Sequence, residues 1–421
     1  MSRLNNTTAL GPFSTVCVVG LGYVGLPTAA IMASRGLDVL GVDTNSRAVD
    51  LINQGKVHII EPDLDILVNG AVAMGKLKAA AIPGAADAFI IAVPTPFKDD
   101  HVPDLSYVEA AAHTIAPFLQ RGNLVIIEST SPVGTTEHLS KWLALDRPDL
   151  TFPHTDQDNS DIFVAHSPER VLPGRVLIEL VSNDRVIGGI TKKCAERAGA
   201  LYDQIIDGKS LLTTARTAEL VKLAENAYRD VNIAFANELG NVCDEMDIDV
   251  WKAIALANHH PRVNILTPGP GVGGHCIAVD PWFIVDGAPD RTPLIQAARQ
   301  VNDLKPASIV AQIKAAAEKI NSPTVACLGL AYKADIDDLR ESPAVEITRQ
   351  VFDLGIDLLA VEPHVDVLPE NLSGIQKADL EDAVNRSDII VLLTDHSQFK
   401  QMDKALLAGK TIIDTRGIWR P

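Results

Sequence analysis

From residue 15 onward, short runs of consecutive apolar residues alternate with longer stretches of helical composition. Thr15–Val19, Leu37–Val42, Ala88–Val93, Leu124–Ile127 and Ile162–Ala165 read as strands, each closed by glycine, proline or small polar residues. These runs are apolar at successive positions, which marks strands buried on both faces of a parallel sheet. The predicted fold class is α/β with a doubly wound sheet. Such sheets bind ligands at the carboxyl ends of their strands. Thr95, Thr130, Glu169 and Arg170 fall at such ends, where turn and cap roles compete with ligand contact. A second set of strands is predicted at Thr324–Leu328, Asp357–Val361, Asp388–Leu393 and Thr411–Ile413, with Ser342-Pro343 opening a helix to about Leu354.

Between the two sets lies a long helical pattern, from Ala218 to about Val242. Leu220, Leu223, Ala224, Ala227, Val231 and Ala234 repeat at helical spacing and form an apolar stripe. Lys222, Asn226 and Arg229 form another. That second stripe has two readings. With Glu219, Glu225 and Asp230 it is a solvated face; alternatively Lys222 and Asn226 grip a substrate oxygen and steer its proton, asparagine being a poor choice for an exposed helix interior. The helix is long enough to join two domains and to pair with its counterpart in a dimer.

The first predicted strand runs into Gly20-Leu21-Gly22-Tyr23-Val24-Gly25, a helix follows, and the second strand ends in Asp43. In that context the glycines have separate roles. Gly20 makes the tight turn, Gly22 lets backbone approach a pyrophosphate, and Gly25 lets helix and strand pack closely. The helix N-terminus favours the phosphates. Asp43 accepts from a ribose hydroxyl and repels a 2′-phosphate, which favours NAD over NADP; Arg47 nearby pulls slightly the other way. This makes the N-terminal half a Rossmann-like unit, and the C-terminal set a second one lacking the glycine fingerprint. There Lys333, Arg340 and Arg416 are candidate phosphate contacts or plain surface charges.

Residues 268–281 place glycines at 269, 271, 273 and 274 directly before Cys276, with His275 beside it and Asp280 after it. A substrate can reach a cysteine in such a loop, and the thiolate is the reactive form. The competing reading is a flexible loop with an incidental thiol. A phosphate loop fits less well, because no Gly-Lys-Ser/Thr follows. His259-His260-Pro261-Arg262 comes just before; adjacent histidines do not share a helical face, so no metal site is read there, and Arg262 is a candidate anion clamp.

The chain has 421 residues, 47% of them hydrophobic, enough for two or three domains. Net charge is −17, from 54 acids and 37 bases, which argues against general nucleic-acid or anionic-membrane binding. Five cysteines without a Cys-x-x-Cys pair fit a reducing, cytoplasmic setting. The apolar run at 16–33 is broken by the glycines and has no charged segment directly before it, so it is not read as a signal peptide.

Together these segments resemble the UDP-glucose/GDP-mannose dehydrogenase family along nearly the whole chain. The resemblance rests on Gly20–Gly25, Ser129–Gly134, Ser167-Pro168-Glu169, Lys222 with Asn226, Gly273-Gly274-His275-Cys276 with Asp280, and Gly329–Lys333 running to Arg340-Glu341-Ser342-Pro343. Residues 1–14 read as a disordered tail, and the resemblance implies an NAD domain at 15–212, a central dimerisation segment with the cysteine loop at 213–315, and a UDP-sugar domain at 316–421. The implied partners are a UDP-sugar and a second copy of the chain. Within the family, residues 274–283 are most like the branch that oxidises UDP-N-acetyl-D-mannosamine. UDP-glucose enzymes usually carry Leu-Pro-Lys-Asp where this chain has Ile277-Ala278-Val279-Asp280, and a second glutamate where it has Pro173. UDP-N-acetylglucosamine and UDP-glucose are the alternative substrates.

The implied chemistry is a four-electron oxidation of the C6 hydroxyl to a carboxylate with two NAD per substrate. Cys276 is the nucleophile, Lys222 and Asn226 serve the proton and the oxyanion, and Asp280 and Glu169 order the hydrolytic water. Tyr23 and Val24 join the cofactor loop. Arg170, Val171, Arg229, His260, Arg262, Gly273, Tyr332, Lys333 and Arg340 match sugar-nucleotide positions, with Arg416 added more loosely. The rivals are a two-electron hydroxyacid dehydrogenase that uses Lys222 without a thiol, and an NAD-dependent regulator without turnover.

Overall fold

The structure, a computed structural model, describes residues 12–419 other than 60, 99, 100, 158, 173 and 275. Pro173, His275 and residues 1–11 of the expected tail thus lie outside the described residues. The end of that tail needs correction. Phe13 is buried in the core under the Arg197 guanidinium, 3.8 Å from its ring, and the Ser14 N–H donates to Asp87 Oδ2 at 2.8 Å. The chain divides into two compact units, Met1–Ala224 and Glu225–Pro421.

The first unit carries eight strands: β1 (Thr15–Val19), β2 (Asp38–Val42), β3 (Leu77–Ala80), β4 (Ala88–Ile91), β5 (Leu124–Ile127), β6 (Phe163–His166), β7 (Arg185–Gly189) and β8 (Ser210–Thr214). They lie in the order β3-β2-β1-β4-β5-β6-β7-β8, parallel except where β6 meets β7. Cys17, Val19, Phe89 and Ile91 pack on one face, and Val16, Val18 and Ile90 on the other. Both faces are covered, which is why these strands read as unbroken apolar runs. Burial pushes the Cys17 thiol up to about 12, so it is a packing group.

The second unit carries β9 (Thr324–Leu328), β10 (Asp357–Val361), β11 (Gln376–Lys377), β12 (Ile389–Leu392) and β13 (Thr411–Asp414), all parallel, in the order β11-β10-β9-β12-β13. The two sheets repeat one turn. The Gly20 N–H donates to Val42 O and the Gly329 N–H to Val361 O, each at 2.8 Å, and both glycines have positive φ, 91° and 84°. The acid that ends the next strand then accepts from the following N–H: Asp43 from Leu21 at 2.9 Å, Glu362 from Leu330 at 2.7 Å.

The helices that matter to the site are α1 (Gly25–Ser34), α2 (Thr135–Asp146), α3 (Ala215–Glu245, 31 residues), α4 (Asp280–Gly287), α5 (Pro293–Ala317) and α6 (Pro343–Asp353, with Ser342 as its N-cap). The stripes predicted on α3 are partly corrected. Leu223, Ala227 and Ala234 are buried, but Leu220 is exposed. Glu219 and Asp230, read as solvated, are fully buried. Glu219 accepts from the Gly134 and Thr136 N–H groups at 2.7 and 2.8 Å and so caps α2, while Asp230 pairs with Arg299 at 2.6 Å.

Candidate active site

In the first unit the glycine fingerprint behaves as three different residues. A Cβ on Gly25 would lie 1.8 Å from Gly20 O, and one on Gly20 would lie 2.5 Å from Ala92 O. A Cβ on Gly22 would meet nothing within 4 Å. Gly20 and Gly25 are glycine because the protein fills the space; at Gly22 the protein leaves it open. Val24 supplies no side-chain cap to α1, so the helix keeps N–H donors for an anion. These features fit the pyrophosphate of a dinucleotide. Asp43 is fixed by the Leu21 and Asn45 N–H groups, at 2.9 and 2.8 Å, one on each oxygen. Each oxygen keeps a lone pair for a ribose hydroxyl. Tyr23 and Arg47 are exposed beside this loop. Thr95 Oγ1 donates to Thr130 O at 2.5 Å, which joins the ends of the neighbouring strands β4 and β5.

Glu169 follows β6, and its carboxylate accepts from the Val171 N–H. Burial pushes its carboxyl up to about 7, against the opposing pull of the Lys222 charge and the Val171 bond. A carboxyl poised there can exchange a proton near neutral pH. Arg170 reaches Asp184 O at 3.3 Å. Behind this segment sits a buried cluster that periodicity did not reveal. Glu128 accepts from Arg185, from Tyr202 Oη at 2.7 Å and from Thr28 Oγ1 at 3.0 Å, and Arg185 Nε donates to Ser167 Oγ at 2.7 Å. Glu128 and Ser167 immediately precede Ser129-Thr130 and Pro168-Glu169, so the cluster holds the ends of both strands. The signal was an acid directly after an apolar strand, in Ile127-Glu128.

In the second unit Cys276 is exposed, whereas the other four cysteines are buried. Its carbonyl accepts from the Asp280 N–H at 2.9 Å, closing the turn that opens α4. Asp280 is buried, and Asn226 Nδ2 of α3 donates to its Oδ2 at 2.5 Å. The glycines before the cysteine turn out to be needed for packing. A Cβ on Gly273 would meet Glu341 O at 2.4 Å, one on Gly274 the Tyr332 ring at 2.9 Å, and one on Gly269 the Arg416 guanidinium at 2.6 Å. The protein itself occupies the room expected for a ligand at these glycines. The loop lies directly on the wall of a cleft of about 280 Å³ lined by Tyr332, Lys333, Pro343, Thr394, Asp395 and Arg416. Arg416 Nε donates to Asp395 Oδ1 at 3.1 Å. Of the contacts predicted in this unit, Tyr332, Lys333 and Arg416 line this cleft, whereas Asn226, Arg229, His260, Arg262, Gly273 and Arg340 do not. Arg340 pairs with Asp338 at 2.7 Å at the surface, and His260 and Arg262 are exposed. Arg229 on α3 is exposed as well.

Among the described residues one group, Asp335, His364 and His396, lies close enough to hold a metal. Its buried member is already committed. His396 Nδ1 accepts the Asp335 N–H at 2.9 Å, so its Nε2–H faces Glu362 at 3.1 Å and no lone pair is left. His396 fixes the loop that follows Tyr332 and Lys333.

The comparisons with known proteins agree with this layout. Residues 14–206 match the NAD binding domain of the UDP-glucose/GDP-mannose dehydrogenase family, 216–304 its central domain and 326–421 its UDP binding domain. An NDP-N-acetyl-D-galactosaminuronic acid dehydrogenase of Ralstonia nicotianae is 59% identical over 97% of this chain and 96% of its own. A UDP-N-acetyl-D-mannosamine dehydrogenase of Yersinia pestis is 54% identical over 97% of this chain and 100% of its own. The solved UDP-D-ManNAc dehydrogenase of Pyrococcus horikoshii superposes with a TM-score of 0.88 at 41% identity, covering 97% of this chain and 96% of that one. With its three domains matched and its glycine fingerprint shaped for a dinucleotide, the chain belongs to the UDP-glucose/GDP-mannose dehydrogenase family and is an NAD-dependent nucleotide-sugar dehydrogenase.

Proposed function

We propose that the protein oxidises the C6 hydroxyl of a UDP-linked N-acetylhexosamine to a carboxylate, with UDP-N-acetyl-D-mannosamine as the substrate. The observation that carries the chemistry is Cys276, the exposed cysteine, in a turn closed by Asp280. Gly20, Gly22, Tyr23, Val24, Gly25, Asp43, Arg47, Thr95 and Thr130 would hold the cofactor. NAD supplies the hydride acceptor, twice per substrate. Lys222 shuttles the hydroxyl proton, giving up its own to solvent as it receives it, and Asn226 keeps one amide N–H for the developing oxyanion while the other holds Asp280. The Cys276 thiolate adds to the aldehyde carbon, retaining it for the second oxidation, which leaves a thioester. Glu169 then takes a proton from the attacking water, Asp280 helps to order that water, and the thiolate leaves. In the second unit Tyr332, Lys333 and Arg416 hold the nucleotide diphosphate. Arg170, Val171, Arg229, His260, Arg262 and Arg340 complete the sugar-nucleotide set.

A second reading differs only in the sugar. The 59%-identical Ralstonia relative carries a galactosaminuronic acid name, against 54% for the Yersinia mannosamine enzyme, and so favours a galacto substrate. Incubating the protein with NAD and UDP-ManNAc, UDP-GalNAc, UDP-GlcNAc and UDP-glucose separates the readings. Two NADH per UDP-ManNAc is the expected result; consumption of UDP-GalNAc with UDP-ManNAc inert overturns the sugar assignment. One NADH per substrate supports the two-electron rival, and NAD binding without turnover supports the regulator.

Glu169 must be ionised to take a proton from water, and burial pushes its carboxyl up to about 7. Acid formation is therefore expected to rise with pH through about 7, and Glu169→Gln to lose both that limb and about a hundredfold of the rate. A pre-steady-state pH series on both proteins checks this; an unchanged limb in the variant removes Glu169 from the step.

The proposed assembly is a homodimer through α3. Tyr228, Phe235 and Val242 recur every seven residues and are 71%, 55% and 43% exposed, an apolar row with no cover in one chain. Tyr228→Asp with Phe235→Asp is expected to give monomers in analytical ultracentrifugation, where the parent sediments as a dimer. The proposed location is the cytoplasm, in keeping with thiols kept reduced. Among the described residues no helix is long and apolar enough to cross a membrane.

A further inference from the structure

Four polar side chains of α3, Asn226, Asp230, Asn237 and Asn241, lie four, seven and four residues apart and therefore on one side of the helix. Each is bonded to another element. Asn226 holds Asp280 at 2.5 Å, Asp230 takes Arg299 at 2.6 Å and Asn302 at 2.8 Å, and Asn241 accepts from Lys305 Nζ at 2.5 Å. Asn237 is fully buried; its Oδ1 accepts the Gly269 N–H at 2.9 Å, and its Nδ2 donates to Asn302 Oδ1 at 2.9 Å. The direction of this relay is forced. A backbone N–H only donates, so Asn237 must present oxygen to Gly269, its NH₂ must face the Asn302 oxygen, and the Asn302 NH₂ must face the Asp230 oxygens. One helix thus grips the cysteine loop on both sides of Cys276. Asn226 holds Asp280 after it, and Asn237, about three turns along the helix, holds Gly269 before it.

We propose that Asn237 is a positioning residue for Cys276: through its buried amide relay to Asn302 and Asp230 it fixes the root of the cysteine loop at Gly269. The proposal rests on the reading of Cys276 as nucleophile. The Asn226 end was legible as a candidate site, whereas Asn237 is fully buried and acts through the loop. Gly269 is also where the loop meets Arg416, so slack at this point moves the segment that carries the thiol. A displacement of about 1 Å in a reacting group costs on the order of a hundredfold in rate.

The test uses the full-length protein. Asn237→Ala is expected to lower kcat by tenfold or more, to change the UDP-sugar KM less than threefold, and to leave NAD affinity unchanged. It is also expected to alter the rate constant for iodoacetamide alkylation of Cys276, measured by mass spectrometry well below the melting temperature. Lys305→Met serves as control, since it removes a different buried rung of the same helix, the bond from Lys305 to Asn241. It is expected to lower Tm while keeping kcat and the alkylation rate of the parent. Should the alanine variant not fold, Asn237→Ser is measured in its place. If the Asn237 variant loses stability but keeps the parent kcat and alkylation rate, the role is structural only and the proposal falls. Cys276→Ser is run in parallel. Acid formation by that variant at the parent rate overturns the nucleophile reading and this proposal with it, whereas an inactive Cys276→Ser beside a fully active Asn237→Ala overturns the positioning role alone.

Discussion

Replacing Cys276 with serine is expected to lower acid formation by at least about a thousandfold, the scale on which removal of a covalent nucleophile is felt. NAD affinity should not change, because Cys276 is not among the residues proposed to hold the cofactor. The substitution is nearly isosteric and the residue is exposed, so stability should stay within about 0.5 kcal/mol of the parent. What changes is the nucleophile. A serine hydroxyl needs a base to reach the reactive state that a thiolate attains near neutral pH. The first oxidation needs no sulfur, so one NADH per enzyme can still form in a single turnover while the acid does not. Parent and variant are compared by rapid quench, following NADH by absorbance and the sugar acid by chromatography. Full acid yield from the serine or alanine variant removes the covalent step, and mass spectrometry of quenched parent enzyme should show the sugar adduct on residue 276.

The sequence made the apolar strands and the two sheets legible, and physical reasons account for what it hid. Thr15–Val19, Leu124–Ile127, Thr324–Leu328 and Asp357–Val361 were readable because both faces of each strand are buried, which leaves little latitude in composition. β7 and β8 escaped for opposite reasons. Arg185-Val186-Ile187-Gly188-Gly189 begins with a buried arginine and ends in two glycines, and Ser210–Thr214 is an edge strand that exposes Leu211 and Leu212. Local patterning cannot announce a strand whose partners pay for its irregularity. On α3, Lys222 and Asn226 stood out as an uncommon pair, but Glu219 and Asp230 resembled ordinary solvent-facing acids. Their burial depends on Gly134, Thr136 and Arg299, 83 to 85 residues upstream of Glu219 and 69 downstream of Asp230. The glycines at 269, 273 and 274 were visible as a group, yet their reason, the approach of Arg416, Glu341 and Tyr332, is a tertiary fact. Asn237 was hidden because it lies in no motif and its partner Gly269 is 32 residues away.

Two glycines of one fingerprint are expected to fail in different ways. Gly25→Ala brings a methyl to 1.8 Å from the carbonyl oxygen of Gly20 and 3.1 Å from Ala92 Cβ. Neither obstacle is the end of a flexible side chain. Gly20 is itself held by its N–H bond to Val42 O at 2.8 Å and by a φ of 91° that other residues rarely adopt. The start of α1 must therefore swing away from β1, at a cost of about 3 kcal/mol, the upper end for overpacking. Thermal unfolding should show the loss as a drop in Tm, and NAD binding by calorimetry should disappear with it. Gly22→Ala meets nothing within 4 Å, so its Tm should match the parent within a degree or two. Its methyl nonetheless stands in the space left for the pyrophosphate, and NAD affinity should fall by at least about tenfold, the price of one lost close approach. Binding of UDP by residues 225–421 should be unchanged in Gly22→Ala. A Gly25→Ala protein with parental Tm would show that the helix can shift freely, and a Gly22→Ala protein with parental NAD affinity would show that the open space belongs to something other than the cofactor.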